Sequence, residues 1–318
     1  MLGSGSKAAG LARFRANAYT EKRMMSSYAH TYSIAAIDTD IGEMGIAVQS
    51  HYFSVGSVVP WARAGVGLVA TQALVNEQYG PDGLALLERG VSPQDTLEQL
   101  LGGDEGSKYR QLAVLAPGHE PATHTGTGCI AEAGHMTGTL YSCQANMMLN
   151  DTVWGAMAEA FESRTETRLP ERLLAALQAA EYQGGDIRGR QSAAITVVRT
   201  KATGRAADDR ILDLRVEDHH SPLNELDRLL SVDRAYRHAN AGDKALEHGD
   251  VEAALAEFRK AESLQPDILE LRYWHAISLL TAGRDAEGLS LLSEVVSRNR
   301  NWLELTLRLP DAGLADFD

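Results

Sequence analysis

Residues 31–38, TYSIAAID, and 43–76, EMGIAVQSHYFSVGSVVPWARAGVGLVATQALVN, decide how the rest of the chain is read. Two apolar runs of strand length, Tyr32–Ile37 and Met44–Val48, flank the turn-rich segment Asp38–Glu43. Strand-prone runs bounded by Asp and Gly predict a β-hairpin. Thr31 stands at the start of the first strand. As the first residue of a mature chain, it would carry a hydroxyl nucleophile and an amine base on one residue. As an internal residue it would simply open a strand, as Thr often does.

Working outward, SVVPWARAGVGLVATQALV adds two short apolar runs broken by Pro60 and by Gly65 and Gly67. Two helices are predicted next. PDGLALLERG opens at Pro81 and ends at Gly90; SPQDTLEQLLGG has Ser92 as N-cap, Pro93 at the first helical position and Gly102–Gly103 as its stop. Strand-prone segments return at Tyr109–Ala116, His124–Gly134 and His135–Met148. Two amphipathic helices follow, DTVWGAMAEAFES and LPERLLAALQAAEYQ, and then strands at Gln191–Arg199 and Asp209–Asp218. Helices arriving in pairs between groups of strands do not fit the one-helix alternation of a parallel sheet. They predict an α+β fold in which helix pairs cover two antiparallel sheets, a four-layer αββα sandwich, over residues 31–220.

The 318 residues suit roughly two domains. A net charge of −13 argues against a nucleic-acid partner, whose footprint is a basic face. Two cysteines, Cys129 and Cys143, are too few for a disulfide framework. No apolar run approaches the ~20 residues of a membrane span, so a soluble, cytoplasmic protein without a membrane partner is expected. Residues 1–30 carry Lys7, Arg13, Arg15, Lys22 and Arg23 and no acid before Glu21. This is the composition of a flexible leader, either an organelle-targeting segment or an extension upstream of a start at Met24 or Met25. From 221 to 318 the pattern is helical. Gly242, Gly249, Ala254, Phe258, Ala261 and Pro266 fall at tetratricopeptide (TPR) spacing, Gly283 lies 34 residues after Gly249, and Trp302–Leu309 reads as a capping helix. A TPR-like module of this kind is either a structural appendage or a site for a protein partner.

Four segments resemble the DUF1028 family, which is assigned to the N-terminal-nucleophile (Ntn) hydrolase superfamily: TYSIAAID; AVQSHYFSVGSVVPWARAGVGLVATQA; HTGTGCIAEAGH with YSCQANMM; and GGDIRGRQSAA. The resemblance implies an Ntn-hydrolase-like sandwich and an amidohydrolase acting on a small amide, without a cofactor. Thr31 would be nucleophile and base. An α-amine with a pKa near ~7.7–8.0 can take a proton at neutral pH. Most relatives begin close to this Thr. Here thirty residues precede it, so its amine must first be released. Arg63 follows WA where proteasome-like relatives carry residues that tune the amine, which implies a fixed cation lowering proton affinity or holding an oxyanion; otherwise it is a surface ion-pair residue. His51 ends the second strand and is a weaker candidate. GGDIRGRQS is similar to the element that supports the threonine in proteasome-like relatives. That similarity makes Asp186 and Ser192 supporting residues, with Gln191 beside them. Asn146 could donate its amide to an oxyanion or substrate; Thr71 and Asn76 are weaker candidates of the same kind. A metal site is not expected, since no CxxC or HxxxH spacing occurs. A thiol centre at Cys129 with His124 or His135 is the remaining catalytic alternative. A homo-oligomer is expected because relatives of this fold often assemble.

Overall fold

The computed structural model describes residues 28–314. The chain divides into two compact units, 1–226 and 227–318.

The first unit contains two antiparallel sheets. The five-stranded sheet comprises β1 (Tyr28–Ala29), β4 (Pro60–Arg63), β5 (Gly67–Leu74), β6 (Arg110–Leu115) and β7 (Ala122–Thr125). Its order is β1-β5-β6-β7, and β4 also lies on β5. The six-stranded sheet has the order β11-β10-β3-β2-β9-β8. Its strands are β2 (Thr31–Asp38), β3 (Glu43–Ser50), β8 (Gly134–Thr137), β9 (Tyr141–Ala145), β10 (Ser192–Arg199) and β11 (Arg210–Val216). The β2–β3 hairpin forms in the register Thr31↔Ser50 to Asp38↔Glu43, as the flanking apolar runs predict.

Each strand presents alternate residues to its two faces. Ala35, Ile37, Ile46 and Val48 of the six-stranded sheet meet Leu68, Ala70, Ala113 and Leu115 of the other, in one apolar cluster between the sheets. The opposite face of the five-stranded sheet, with Val69, Leu112 and Val114, is covered by α1 (Tyr79–Glu88) and α2 (Pro93–Gly102). The Ser92 hydroxyl caps α2 by accepting from the Asp95 amide. The outer face of the six-stranded sheet is covered by α3 (Val153–Glu162) and α4 (Leu169–Tyr182). Helix pairs therefore lie outside both sheets. A short helix, α5 (Ala206–Asp209), connects β10 to β11.

Two segments depart from the sequence expectation. The leader expected over 1–30 gives way to sheet before Thr31: Tyr28 and Ala29 pair with Leu74 and Ala73 of β5, and Ala29 and His30 are buried. Residues 1–27 lie outside the described residues. The strand expected over His124–Gly134 stops at Thr125. Beyond it the chain crosses so close to Ser107–Lys108 that a Cβ on Gly126 would sit 2.8 Å from the Ser107 carbonyl oxygen.

The second unit is helical. Most of α6 (Pro222–Glu247) belongs to it, followed by α7 (Val251–Leu264), α8 (Leu269–Thr281), α9 (Asp285–Arg298) and α10 (Asn301–Arg308). Phe258 is buried against Gly242, where a Cβ would lie 2.8 Å from its ring. Gly249 and Gly283 take φ values of 76° and 71° at the turns after α6 and α8, conformations that a side chain would strain.

Candidate active site

At the Thr31 end of the sandwich the space between the sheets changes from apolar to polar. Inward positions of the same strands carry Ser33, Gln72, Gln111, Ser142 and Gln144, all fully buried. Buried polar groups cost stability unless they are paired, and these pair with one another. Ser33 Oγ donates to Gln72 Oε1 (2.7 Å) and accepts from Gln144 Nε2 (2.7 Å). Gln72 Nε2 donates to Gln111 Oε1 (2.7 Å) and to the Thr31 carbonyl (3.2 Å). Gln111 Nε2 donates to the carbonyls of Ala145 (2.9 Å) and Gly134 (3.1 Å) and to Thr125 Oγ1 (2.8 Å).

The direction of each bond is fixed by these carbonyls, which only accept. Gln111 must turn its Nε2 toward Ala145 and Gly134, so its Oε1 accepts from Gln72 and from Asn146 Nδ2 (2.9 Å). Asn146 then faces His30 with its oxygen, and His30 Nδ1 donates to Oδ1 at 2.9 Å. The Thr31 carbonyl takes three donors, the Asn146 amide (3.1 Å), Asn146 Nδ2 (3.3 Å) and Gln72 Nε2.

The carbonyl just before Thr31 is held as firmly. The His30 oxygen accepts from Ser50 Oγ (2.6 Å) and from Arg188 Nη2 (2.8 Å). Arg188 is itself anchored to the buried Asp186 carboxylate through Nε (3.0 Å) and Nη2 (2.7 Å), and Asp186 also accepts from the amides of Arg188 and His51. Thr31 is fully buried and its hydroxyl donates to the Ala29 carbonyl (2.8 Å). Two residues near this junction have left-handed backbone, Ala73 (φ 68°) on the strand that β1 pairs with and Met147 (φ 59°) beside Asn146. Such strain outside glycine concentrates at functional sites.

His30 holds its proton less readily than an ordinary imidazole. Burial is the main cause, the Asn146 bond opposes it, and the Arg188 guanidinium lowers it further. The unfolded chain takes up that proton near pH ~6.5, so between there and the lower folded value the unfolded state binds more protons. Stability of the intact chain is expected to fall as the pH drops below about 6.5. The urea midpoint followed from pH 7.5 to pH 5 should show this, and His30→Gln, which keeps a donor for Asn146, should flatten that part of the profile. An unchanged profile would assign the acid sensitivity to other groups.

Thr31, Asn146 and Asp186 thus meet at one junction. Ser192 is close by, accepting from the Val55 amide (2.9 Å) and donating to the Tyr52 carbonyl (2.5 Å). These bonds hold the loop after β3, and Ser192 makes no bond to Thr31 among those described. The remaining expected residues stand elsewhere. Arg63 is exposed, pairs with Glu88 at 2.9 Å and lies opposite Gly67. That is five residues along β5 from Gln72, or about 17 Å at strand rise, too far to act on Thr31; Arg63 lines a cleft of about 510 Å³ with Trp61, Arg210 and Arg215. The His51 side chain is exposed, and only its backbone reaches Asp186. Thr71 donates to the Asn76 carbonyl (3.2 Å) and Asn76 accepts from the Gln78 amide, so this pair shapes the turn into α1. Gln191 bonds Asp218 at the surface. Burial raises the pKa of both Cys129 and Cys143, which disfavours the reactive thiolate a thiol centre needs, and His124 and His135 bond the Ser107 carbonyl and Thr125 Oγ1 while Cys129 Sγ bonds the Arg110 carbonyl.

Residues 31–226, more than half of the chain, match the family described as a family of unknown function, DUF1028. The chain belongs to the DUF1028 family. It is also similar to a solved DUF1028 protein from Silicibacter pomeroyi, with 32% sequence identity over 63% of this chain and 87% of that one, and a TM-score of 0.56. No curated protein matches it. The matched region of this DUF1028 member begins at Thr31, the residue whose two flanking carbonyls are saturated with donors. Gln72, Gln111, Gln144, Ser50 and Arg188 were not among the residues expected from sequence. The available signal was a single glutamine inside each of the apolar runs GLVATQALV, YRQLAVLA and YSCQANMM.

Proposed function

We propose that this DUF1028 protein is an N-terminal-nucleophile hydrolase that cuts its own chain between His30 and Thr31 and then hydrolyses a small amide with the released Thr31. The observation that carries this reading is the pair of donors on the His30 carbonyl, a neutral hydroxyl and a guanidinium, beside a residue bearing a hydroxyl. Donors placed on a carbonyl stabilise the negative charge that develops when a nucleophile adds to it. In the self-cleavage, Thr31 Oγ1 adds to the His30 carbonyl carbon and the C–N bond breaks. The Thr31 nitrogen takes up the hydroxyl proton and is released as an amine, and the His30 acyl group stays on Oγ1 as an ester. Water hydrolyses the ester to a His30 carboxylate and restores the hydroxyl.

The released amine is then the base for the amide substrate. It takes the hydroxyl proton as Oγ1 attacks and delivers it to the leaving amine; water clears the acyl group. Ser50 and Arg188 hold the oxyanion, Asp186 fixes Arg188, and Asn146 with Gln72 fixes Thr31 through its carbonyl. Two facing antiparallel sheets with helix pairs outside support an Ntn-hydrolase-like sandwich, and Phe258 seated on Gly242 supports a TPR-like tail.

A rival reading is a non-catalytic scaffold in which Tyr28–His30 is a permanent part of the sheet, and the pairing of β1 with β5 favours it. Intact mass and N-terminal sequencing of purified full-length chain, held at pH 7.5 and sampled over days, separate the two. The hydrolase reading expects a polypeptide beginning at Thr31, and that material should release amine from a panel of small amides. A chain that keeps residue 30 joined to residue 31 throughout would leave Thr31 without a base and put the scaffold first.

A further inference from the structure

The segment before Thr31 occupies a site with its own chemistry. Ala29 is fully buried in the apolar cluster with Val55, Val59 and Val75. His30 is enclosed and donates to Asn146 Oδ1. The backbone at Tyr28 and Ala29 pairs in antiparallel register with Leu74 and Ala73. The Leu74 carbonyl is in turn held by Arg110 Nη1, and Arg110 is bound to Asp104 at 2.7 Å. These contacts form an edge for extended backbone, a closed apolar recess, an acceptor, and a two-donor cradle for a carbonyl, in that order along the chain.

We infer that the ground held by Tyr28–His30 is the acyl-side subsite of the Thr31 centre, and that it takes the end of an extended peptide in which a small residue precedes one carrying an N–H donor. This rests on the hydrolase reading, since the subsite opens only when the leader leaves. Backbone pairing to a sheet edge supplies affinity and side-chain pockets supply selectivity. The selectivity arises in the buried amide network. Gln111 is oriented by two backbone carbonyls and orients Asn146, so Asn146 can offer only its oxygen to the residue beside the scissile bond. A side chain without an N–H would leave that oxygen buried and unpaired. Ala29 is fully buried against Val55, Val59 and Val75, so a much larger side chain in its place would overpack the recess. A product carboxylate would meet the Arg188 guanidinium and the Ser50 hydroxyl, a charge-assisted pair stronger than the carbonyl contacts it replaces.

The test uses full-length protein, with mass spectrometry reporting first whether residues 30 and 31 are joined. On cleaved protein, native mass spectrometry reads whether the leader fragment stays bound. Calorimetry on protein stripped of that fragment then compares acetyl-Ser-Tyr-Ala-His with acetyl-Ser-Tyr-Ala-Phe and acetyl-Ser-Tyr-Leu-His, all as free acids. The expected results are retention of the fragment or binding of the first peptide, with each altered peptide weaker by about tenfold or more. Asn146→Leu should erase the preference for His over Phe. Cleaved protein that neither retains the fragment nor binds the first peptide, or binds all three peptides alike, would overturn the subsite while leaving the hydrolase reading standing. An uncut chain would remove the hydrolase reading, and the subsite with it.

Discussion

Thr31→Ala protein is expected to stay a single uncut chain and to lose amide hydrolysis by roughly 10⁴–10⁶-fold, the scale seen when a hydrolase nucleophile is removed. On the proposed mechanism one substitution would delete both activities, because both would run through the same oxygen. The fold should barely notice. The hydroxyl makes one described bond, to the Ala29 carbonyl, so about 1 kcal/mol of stability is at stake. Thr31→Ser keeps the oxygen and should still cut itself. Arg188→Gln removes the charged donor from the His30 carbonyl and should slow cleavage by about 10²–10³-fold, as expected for one oxyanion donor. The readout is the intact-mass time course together with amine release from the amide panel. Cleavage by Thr31→Ala protein at the wild-type rate would place the reaction on another group, or on a contaminating protease.

Gln111→Leu is the second large effect. Leucine fills a similar volume but cannot donate or accept. The change leaves the Ala145 carbonyl without its glutamine donor, and Gln72 and Asn146 each lose their shortest acceptor. At ~1–3 kcal/mol for each buried group stranded, the loss is expected to be about 3–5 kcal/mol, a large fraction of what a domain of this size possesses. The urea midpoint should fall with little change in slope. Thr123→Ala, which removes one bond to Ser142 at the margin of the same network, should cost no more than about 1.5 kcal/mol. Equal losses from the two variants would show that the amides act singly and not as a connected set.

The order of strands and helices was legible in the sequence because it rests on local signals. Ser92 followed by Pro93 marks a helix start, and paired amphipathic stretches between strand groups imply helices outside antiparallel sheets. Site positions were legible at Thr31, which opens the first strand, and at Asp186, which lies in the glycine-bound segment GGDIRGRQS whose resemblance to the family singled it out. Arg63 was misplaced because its position in the chain, soon after the first hairpin, says nothing of which end of β5 it faces. Register decides that, and register sends it to Gly67. The glutamine network was missed because its members lie on three strands far apart in sequence. Alternation places each on an inner face, but only pairing brings them together. Arg188 lies two residues from Asp186, where sequence alone offers no more than a local ion pair; what makes it more is the His30 carbonyl, 158 residues away.

The division of β5 between two neighbours bears on solubility. β4 covers β5 from Gly67 to Ala70, the Thr71 amide is bound by the Val59 carbonyl, and β1 covers only Ala73 and Leu74. Among the described residues, departure of Tyr28–His30 would therefore uncover two residues of strand edge, bent by the left-handed Ala73. A long, flat, unpaired edge invites association with other chains; a short, bent one does not. If the proposed cleavage released this segment, the β5 edge left at Ala73 and Leu74 would be too short and bent to serve as a template for aggregation.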